Sequence, residues 1–431
     1  MTTKATILTQ LSCLVFLSFV VDGQPQKRIW VLKEPDEIVG YDSTDFVPKQ
    51  TVKIPAAVLQ APDRFLMNCW GQMLFVPESL FPSEAEKGGP FFPTIWFWNG
   101  EEASFLKPPA NRTAVPSDEG LEVLRFSLQY QLSTERDLLF FLETKYRTQH
   151  QALKNGSRGA EIRLESLYRI SRMDLQDTQL HEIATYSFPA CECSTGACLE
   201  TCPEAELWAP EKGINDFFFV THLIPGQLST EYLNTILFSR SGHLWTTRQL
   251  DEPLERILDA GKEGHTFIAA LPDVGCCGWD NESNDRTLLF RKGKSHVLFD
   301  ERERYENADY DVSFFTVNAR LSPSVSLAAM TLESSARDPS DIRLSSEGKP
   351  DELQLGRIRD AIDDLPVVEV FRVEHPSEPI AVIPHVVLVD WIGEREILLE
   401  EDGQLIVFDI SAQTRRETRI EVLEARHVFV R

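Results

Sequence analysis

Arg395-Glu-Ile-Leu-Leu-Glu-Glu-Asp-Gly-Gln-Leu-Ile-Val-Phe-Asp-Ile410 decides how the rest of the chain is read. Two apolar, β-prone runs, 397–399 and 405–410, flank Asp402-Gly403, which is the strongest short-range signal for a β-hairpin. Ile236-Leu-Phe-Ser-Arg-Ser-Gly242-His-Leu-Trp245 and Leu288-Leu-Phe-Arg-Lys-Gly293-Lys-Ser-His-Val-Leu-Phe299 repeat the order strand, glycine turn, strand. Ile95-Trp-Phe-Trp-Asn-Gly100 keeps the first half of it. The fold class expected from these segments is all-β.

The turn glycines supply a ruler. Gly242 to Gly293 is 51 residues, Gly293 to Gly403 is 110 and Gly100 to Gly242 is 142, close to one, two and three units of a single period. Four-stranded propeller blades recur every ~40–50 residues, and a fixed period in that range marks a unit that buries its faces only against its neighbours. Six such steps fit between Gly100 and Gly403. The expected architecture is therefore a β-propeller of seven four-stranded blades, with six or eight as alternatives, and with a large sandwich or a mixed α+β protein as the competing folds. The repeat is faintest over residues 111–165.

Composition narrows the partners. A chain of 431 residues with 42% hydrophobic content and 26 Phe can bury a large core. Its formal net charge of −24 argues against nucleic acid and anionic membrane surfaces, both of which repel it at long range. No run of 18 apolar residues follows the N-terminus, so no transmembrane segment is expected in the mature chain.

Lys4, the apolar stretch 11–21 and small Gly23 read as an export signal over 1–23, which places the protein in a secreted or periplasmic compartment. Cys13 lies inside the apolar region, and Gln10-Leu11-Ser12 is a poor lipobox. The remainder, 24–431, reads as a single propeller domain. Strands are expected at 29–32, 37–42 and 51–54. Ile38-Val-Gly-Tyr-Asp-Ser-Thr44, with Val52-Lys-Ile54 beyond it, parallels Leu405-Ile-Val-Phe-Asp-Ile-Ser411 and Thr418-Arg-Ile420. Both termini thus resemble the outer part of a blade. Arg426-His-Val-Phe-Val-Arg431 is also β-like and is expected to pair with the N-terminal strands in a shared closing blade, which removes free sheet edges.

From Arg64 to Leu106 the aromatics Trp70, Phe75, Trp96, Phe97 and Trp98 are read as core rather than as a sugar-binding platform. Residues 121–150 are ambiguous between strands and a helix, whereas 169–174 and 179–183 look like paired outer strands. A minor inserted helix is expected at 351–365, with Leu353, Leu355, Ile358 and Ile362 on its apolar face and Pro366 as its stop.

The least ordinary chemistry is Cys191-Glu-Cys193-Ser-Thr-Gly-Ala-Cys198-Leu-Glu-Thr-Cys202, in an expected loop at 189–216. Zinc loops pair their thiols as Cys-x-x-Cys, a spacing absent here, and in an exported protein disulfides are the better reading. Cys191 and Cys193 are too close to bond each other readily, so each is expected to join Cys198 or Cys202. Cys276-Cys277 closes a strained vicinal ring or bonds elsewhere. Once Cys13 leaves with the signal, seven cysteines remain, and Cys69 is the candidate for a free buried thiol. Asp280, Glu282 and Asn284 alternate oxygen ligands as a calcium loop does, but Asp285 and Arg291 stand where an EF-hand needs Gly and Glu, so a solvated turn is favoured. The acidic stretch 301–311 reads as a soluble loop. No cofactor is expected, with zinc at the four clustered cysteines or calcium at Asp280, Glu282 and Asn284 as the alternatives.

Residues 236–245, 285–300 and 388–410 resemble secreted bacterial β-propellers of the TolB-like and WD40-like repeat families, or an uncharacterised family within them. The resemblance implies a fold and a tendency to bind on one face or in a central channel, without implying an activity. No catalytic motif accompanies it. Gly-x-Ser-x-Gly is missing, and His181-Glu182 is followed by Thr185 where a zinc protease needs its second histidine. His222 is read as a structural histidine of a strand. The expected function is non-catalytic binding or scaffolding of a protein, peptide or glycan, against two alternatives. One is a hydrolase-like propeller enzyme and the other a thiol or metal sensor built on the cysteine loop.

Overall fold

The computed structural model describes residues 27–33, 37–53, 65–67, 73–75, 95–98, 103–106, 122–132, 137–151, 160–174, 180–188, 191–193, 204–208, 217–224, 231–241, 244–261, 264–271, 285–305, 310, 312–336, 338–343, 351–423, 425 and 428–430. The expected export signal, Cys13 and Cys69 lie outside them.

The chain begins with β1 (Arg28–Lys33), β2 (Glu37–Asp42) and β3 (Pro48–Lys53). Sheet II follows as β4 (Phe65–Met67), β5 (Met73–Phe75), β6 (Ile95–Trp98) and β7 (Ala103–Leu106). Sheet III has β8 (Glu122–Leu132), β9 (Asp137–Gln151), β10 (Ala160–Asp174), β11 (Leu180–Phe188) and the short β12 (Cys191–Cys193). Sheet IV is β13 (Glu204–Trp208), β14 (Phe217–Ile224), β15 (Glu231–Ser241) and β16 (Leu244–Gln249). Sheet V is β17 (Arg256–Ala260), β18 (Thr266–Leu271), β19 (Arg286–Arg291) and β20 (Lys294–Asp300). Helix α1 (Glu301–Tyr305) leads into sheet VI, formed by β21 (Phe314–Leu321), β22 (Leu327–Ser334), β23 (Val367–Arg372) and β24 (His375–Pro384), with helix α2 (Glu352–Asp363) between its second and third strands. Sheet VII is β25 (Val387–Trp391), β26 (Glu396–Glu401), β27 (Gln404–Asp409) and β28 (Thr414–Glu421). Finally β29 (Val428–Val430) returns to pair with β1 and completes sheet I in the order β29-β1-β2-β3.

Among the described residues the strands form seven antiparallel sheets, six of four strands and one of five. The shared closing sheet expected from the termini is present, with Ile29 opposite Val430 and Val31 opposite Val428. The likeness of the two ends is also explained. β2 and β3 occupy the third and fourth places of sheet I, as β27 and β28 do in sheet VII.

Among the described residues, consecutive sheets from III round to I bury their faces on each other. Sheets III and IV meet through Leu142, Phe218 and Phe238, IV and V through Phe219 and Phe267, and V and VI through Ile268 and Phe314. Sheets VI and VII meet through Val370 and Leu388, and VII and I through Leu398 and Ile29. Strand β14 is covered on both sides, which is why Phe217 to Leu223 is buried throughout and opens with the unbroken apolar run Phe217-Phe-Phe-Val220 rather than an alternation. Phe219 and Phe267 meet across the IV–V boundary at 4.9 Å, and Phe267 stacks on Phe290 of its own sheet at 4.5 Å. Each such pair adds about 0.5–1.5 kcal/mol beyond its buried area.

Several expectations need correcting. The glycine ruler mixes unlike turns, because Gly100, Gly242 and Gly293 lie between third and fourth strands and Gly403 lies between a second and a third. Gly100 to Gly242 advances two sheets rather than three, since β8, β9 and β10 run to 11, 15 and 15 residues and make sheet III longer than the period. Residues 122–132 and 137–151 are strands, which resolves the ambiguity there. Helix α2 forms where expected, with Asp351 capping the amides of Leu353 and Gln354, and it buries Leu355, Ile358 and Ile362. Leu353 is 69% exposed and is not part of that face. The stretch 189–216 is not all loop, since β12 and β13 fall within it. Nor is 301–311 simply a soluble loop, since its first residues form α1 and Glu301 is buried.

Candidate functional site

The first strand of each sheet has a single sheet partner, which leaves its other edge free of sheet pairing. β17, β21, β25 and β29, the first strands of sheets V, VI, VII and I, touch one another in turn and are termed inner strands. Three of these inner strands carry a β-bulge at the same place. The register slips between Ile257 and Asp259, between Thr316 and Asn318, and between Leu388 and Asp390. A bulge leaves one residue unpaired and re-aims the next, and here the next residue is Asp, Asn and Asp.

These polar residues and two arginines tie one inner strand to the next. Asp259 Oδ2 accepts the Leu321 amide at 2.7 Å, and Arg320 Nη1 donates to the carbonyl of Leu258, the bulged residue, at 3.1 Å. Asn318 Nδ2 donates to the Leu388 carbonyl at 2.7 Å, and Trp391 Nε1 donates to the Arg320 carbonyl at 3.0 Å. Arg256 Nη2 reaches the Thr316 carbonyl at 3.2 Å. Asp390 Oδ1 accepts the amide of Trp391 at 2.8 Å. An inner edge without a sheet partner must satisfy its backbone groups by other means, and side chains of the adjacent sheet supply them. The row therefore acts first as a frame. Among the described residues, no hydrogen-bond partner reaches the buried Asn318 Oδ1.

A second polar cluster closes the boundary between sheets V and VI. Glu301, 1% exposed, accepts the Phe314 amide at 2.7 Å and the Asp285 amide at 3.2 Å, while its own amide donates to the Asp285 carbonyl at 3.1 Å. Beside it Thr287 Oγ1 donates to Thr316 Oγ1 at 2.7 Å. Burial pushes the Asp285 carboxyl up to about 7, a hydrogen bond from the Thr316 backbone opposes the rise, and Glu255 and Glu301 add to it. Asp285 is half-buried, and the rest of the expected solvated turn, 280–284, lies outside the described residues.

Strand order also sorts the connections. In an up-and-down sheet the second-to-third turns and the links to the next sheet leave from one end, here the crossover end, and the remaining turns leave from the other. The crossover end collects 54–64, 76–94, 107–121, 189–203, 272–285 and 335–366. At the opposite end the longest connection between the described strands is the eight residues 209–216.

Of the residues singled out by sequence, Cys191 and Cys193 lie in β12, opposite Arg163 and Glu161 of β10. Two residues of extended strand separate their Cα atoms by roughly 6.6 Å, near the upper limit for a disulfide. Cys198, Cys202, Cys276, Cys277, Asp280, Glu282 and Asn284 lie outside the described residues. Both cysteine-bearing connections nevertheless start from the crossover end. Among the described residues no group of three His, Cys, Asp or Glu side chains is placed to hold a metal. His222 is buried in β14 with Nδ1 2.7 Å from Asn234 Oδ1, and burial holds its imidazole below the usual range. The inner-strand bulges escaped the sequence reading, although Leu258-Asp-Ala260, Val317-Asn-Ala319 and Val389-Asp-Trp391 share a visible apolar–Asx pattern.

No protein-family model matches the chain, and no curated protein is similar to it in sequence. Among solved structures it is similar to apo AztD from Citrobacter koseri, at 9% identity and a TM-score of 0.41, over 92% of this chain and 95% of that one. Dihydro-heme d1 dehydrogenase NirN matches at 8% identity and a TM-score of 0.39, over 92% of this chain and 65% of the other. The WD40 domain of SCAP from fission yeast matches at 7% identity and a TM-score of 0.32, over 92% and 84%.

Proposed function

We propose that residues 24–431 form one closed seven-bladed propeller, exported behind residues 1–23, that binds a protein, peptide or glycan at its crossover end without transforming it. The observation that carries this reading is the asymmetry of the connections, long at one end and short at the other. Loops held on a rigid frame are where binding residues concentrate. The inner-strand row supports the same reading, because Asp259, Asn318 and Arg320 are engaged in holding sheet to sheet.

The test is binding of the purified protein to glycan and peptide arrays, followed by variants with connections shortened at either end. Shortening 76–94 or 107–121 should abolish the signal, and replacing 209–216 should leave it intact. Equal loss from both ends, or turnover of a glycoside or peptide substrate, would replace the binding reading with the hydrolase-like one.

Export carries a chemical corollary. Cys191 and Cys193 each bond Cys198 or Cys202, and Cys69 stays reduced. Mass mapping of the exported protein without reductant checks the pairing. Four free thiols in 191–202 would overturn it, and stoichiometric zinc released by thiol modification would favour the metal alternative.

A further inference from the structure

The sequence holds three Asn-x-Ser/Thr triplets, Asn111-Arg-Thr113, Asn155-Gly-Ser157 and Asn281-Glu-Ser283, none with proline in the middle. In a chain that passes through a glycosylating secretory compartment, such a triplet on the surface accepts an N-linked oligosaccharide. Strand order assigns all three to one end. The connection 107–121 links sheets II and III, while 152–159 and 272–285 join second to third strands in sheets III and V, so each leaves from the crossover end. The acceptors lie outside the described residues, and the strands that flank them fix the end.

Asparagines at the opposite end lack the triplet. Asn68, Asn99 and Asn215 fall in turns there, and Trp70, Glu101 and Phe217 stand where the hydroxyl residue is needed. Asn234 of β15 and Asn318 of β21 are followed at that place by Ile236 and Arg320. Surface connections tolerate a bulky attachment, and paired strands do not. Sheet III offers one such connection clear of its neighbours. Among the described residues Ala160 pairs with Gln151 at the end of the β9–β10 hairpin, four residues past Arg147, the last β9 residue opposite β8. At about 3.3 Å per residue this carries the hairpin roughly 13 Å beyond the end of β8.

We propose that Asn111, Asn155 and Asn281 carry N-linked oligosaccharides, so that the crossover end is glycosylated and the opposite end bare. The inference rests on the export reading and is independent of the binding one. The donor is an oligosaccharide linked to a polyprenyl diphosphate of the secretory membrane. In each transfer the asparagine amide nitrogen bonds the anomeric carbon of that donor and loses one proton, and the bond from the anomeric carbon to the diphosphate oxygen breaks with its electron pair leaving on the diphosphate.

The test is secretion of the full chain, residues 1–23 included, from a eukaryotic host. The recovered protein is sequenced at its N-terminus and its peptides are mapped before and after a glycosidase that leaves aspartate at each released site. Conversion is expected at Asn111, Asn155 and Asn281, with Asn68, Asn99, Asn215, Asn284 and Asn307 unchanged. Thr113→Ala, Ser157→Ala and Ser283→Ala should each remove one glycan while keeping the asparagine, and the triple variant should migrate as the deglycosylated wild type does. Thr113→Ala also keeps the connection 107–121 at full length, which separates loss of a glycan from loss of a binding loop. A secreted chain that begins near Gln24 with fewer than two of the three sites occupied overturns the inference and leaves export standing. A chain retained in the cytosol with residues 1–23 attached overturns both. Should a variant fail to be secreted, the wild-type map still decides.

Discussion

The Arg304 guanidinium forks onto the Glu369 carboxylate, Nη1 lying 2.9 Å from Oε2 and Nη2 bonding Oε1, and so locks α1 onto the third strand of sheet VI. Glu369 sits between Val367 and Phe371, which face the V–VI core, and its side chain is 1% exposed. Arg304 also lies 6.0 Å over the Phe299 ring. Breaking such a pair from one side strands a buried charge. Arg304→Met should cost about 3 kcal/mol, the lower end of the range because the arginine side chain is 37% exposed. Arg304→Met with Glu369→Leu should recover most of the loss. Urea unfolding of the two singles and the double gives the cycle, and an additive double would refute the coupling.

Gly40 stands opposite Trp30 in the β1–β2 register, and the fully buried Trp30 ring covers it. A Cβ at Gly40 would come within 2.7 Å of Trp30 Cζ3. Gly40→Ala should therefore destabilise by about 1–3 kcal/mol through overpacking. Tryptophan fluorescence should change with it. An unchanged unfolding midpoint would mean that the ring moves aside freely.

Two glycines should respond in opposite directions to alanine. Gly403, at φ +77, follows Asp402, at φ 49, in the two-residue turn of the β26–β27 hairpin. Gly403→Ala forces a side chain into the left-handed region and should cost about 1–2 kcal/mol. Gly356 lies inside α2 with open space where a methyl group would stand, so Gly356→Ala should stabilise by about 0.5–1 kcal/mol. Thermal unfolding of both variants settles the signs.

A half-buried carboxyl and a buried imidazole should give opposing pH dependences of global stability. The raised carboxyl of Asp285 contributes stability that is full below about 4 and lost as pH climbs through about 7. The lowered imidazole of His222 contributes in the reverse sense, being full above about 6.5 and lost as pH falls toward its folded value. Asp285→Asn should raise the urea midpoint at pH 8, by about 2–4 kcal/mol in unfolding free energy, and change it little at pH 4. His222→Gln should help at pH 5 and not at pH 8. Equal effects at both pH values would contradict these assignments.

What could be read directly from the chain was local. Asp402-Gly403 needs only a positive φ at both turn residues, and the unbroken apolar runs need only cover on both faces. The hairpins, the all-β class, helix α2 and the sheet shared by the two ends were legible for that reason. The strand lengths of sheet III were not, because nothing local sets how far β9 and β10 extend past their partners, and the glycine spacing misled there. Chemistry followed the same division. The cysteine pattern stands out in sequence, but the polar frame of Asp259, Asn318 and Asp390 depends on bulges, and the short apolar–Asx pattern they share acquires meaning only once the strands are paired. Glu301 and Asp285 looked like two more acids in a chain of net charge −24. Only packing sheet V against sheet VI takes them out of water, and the loss of that water gives one of them a titration near neutrality.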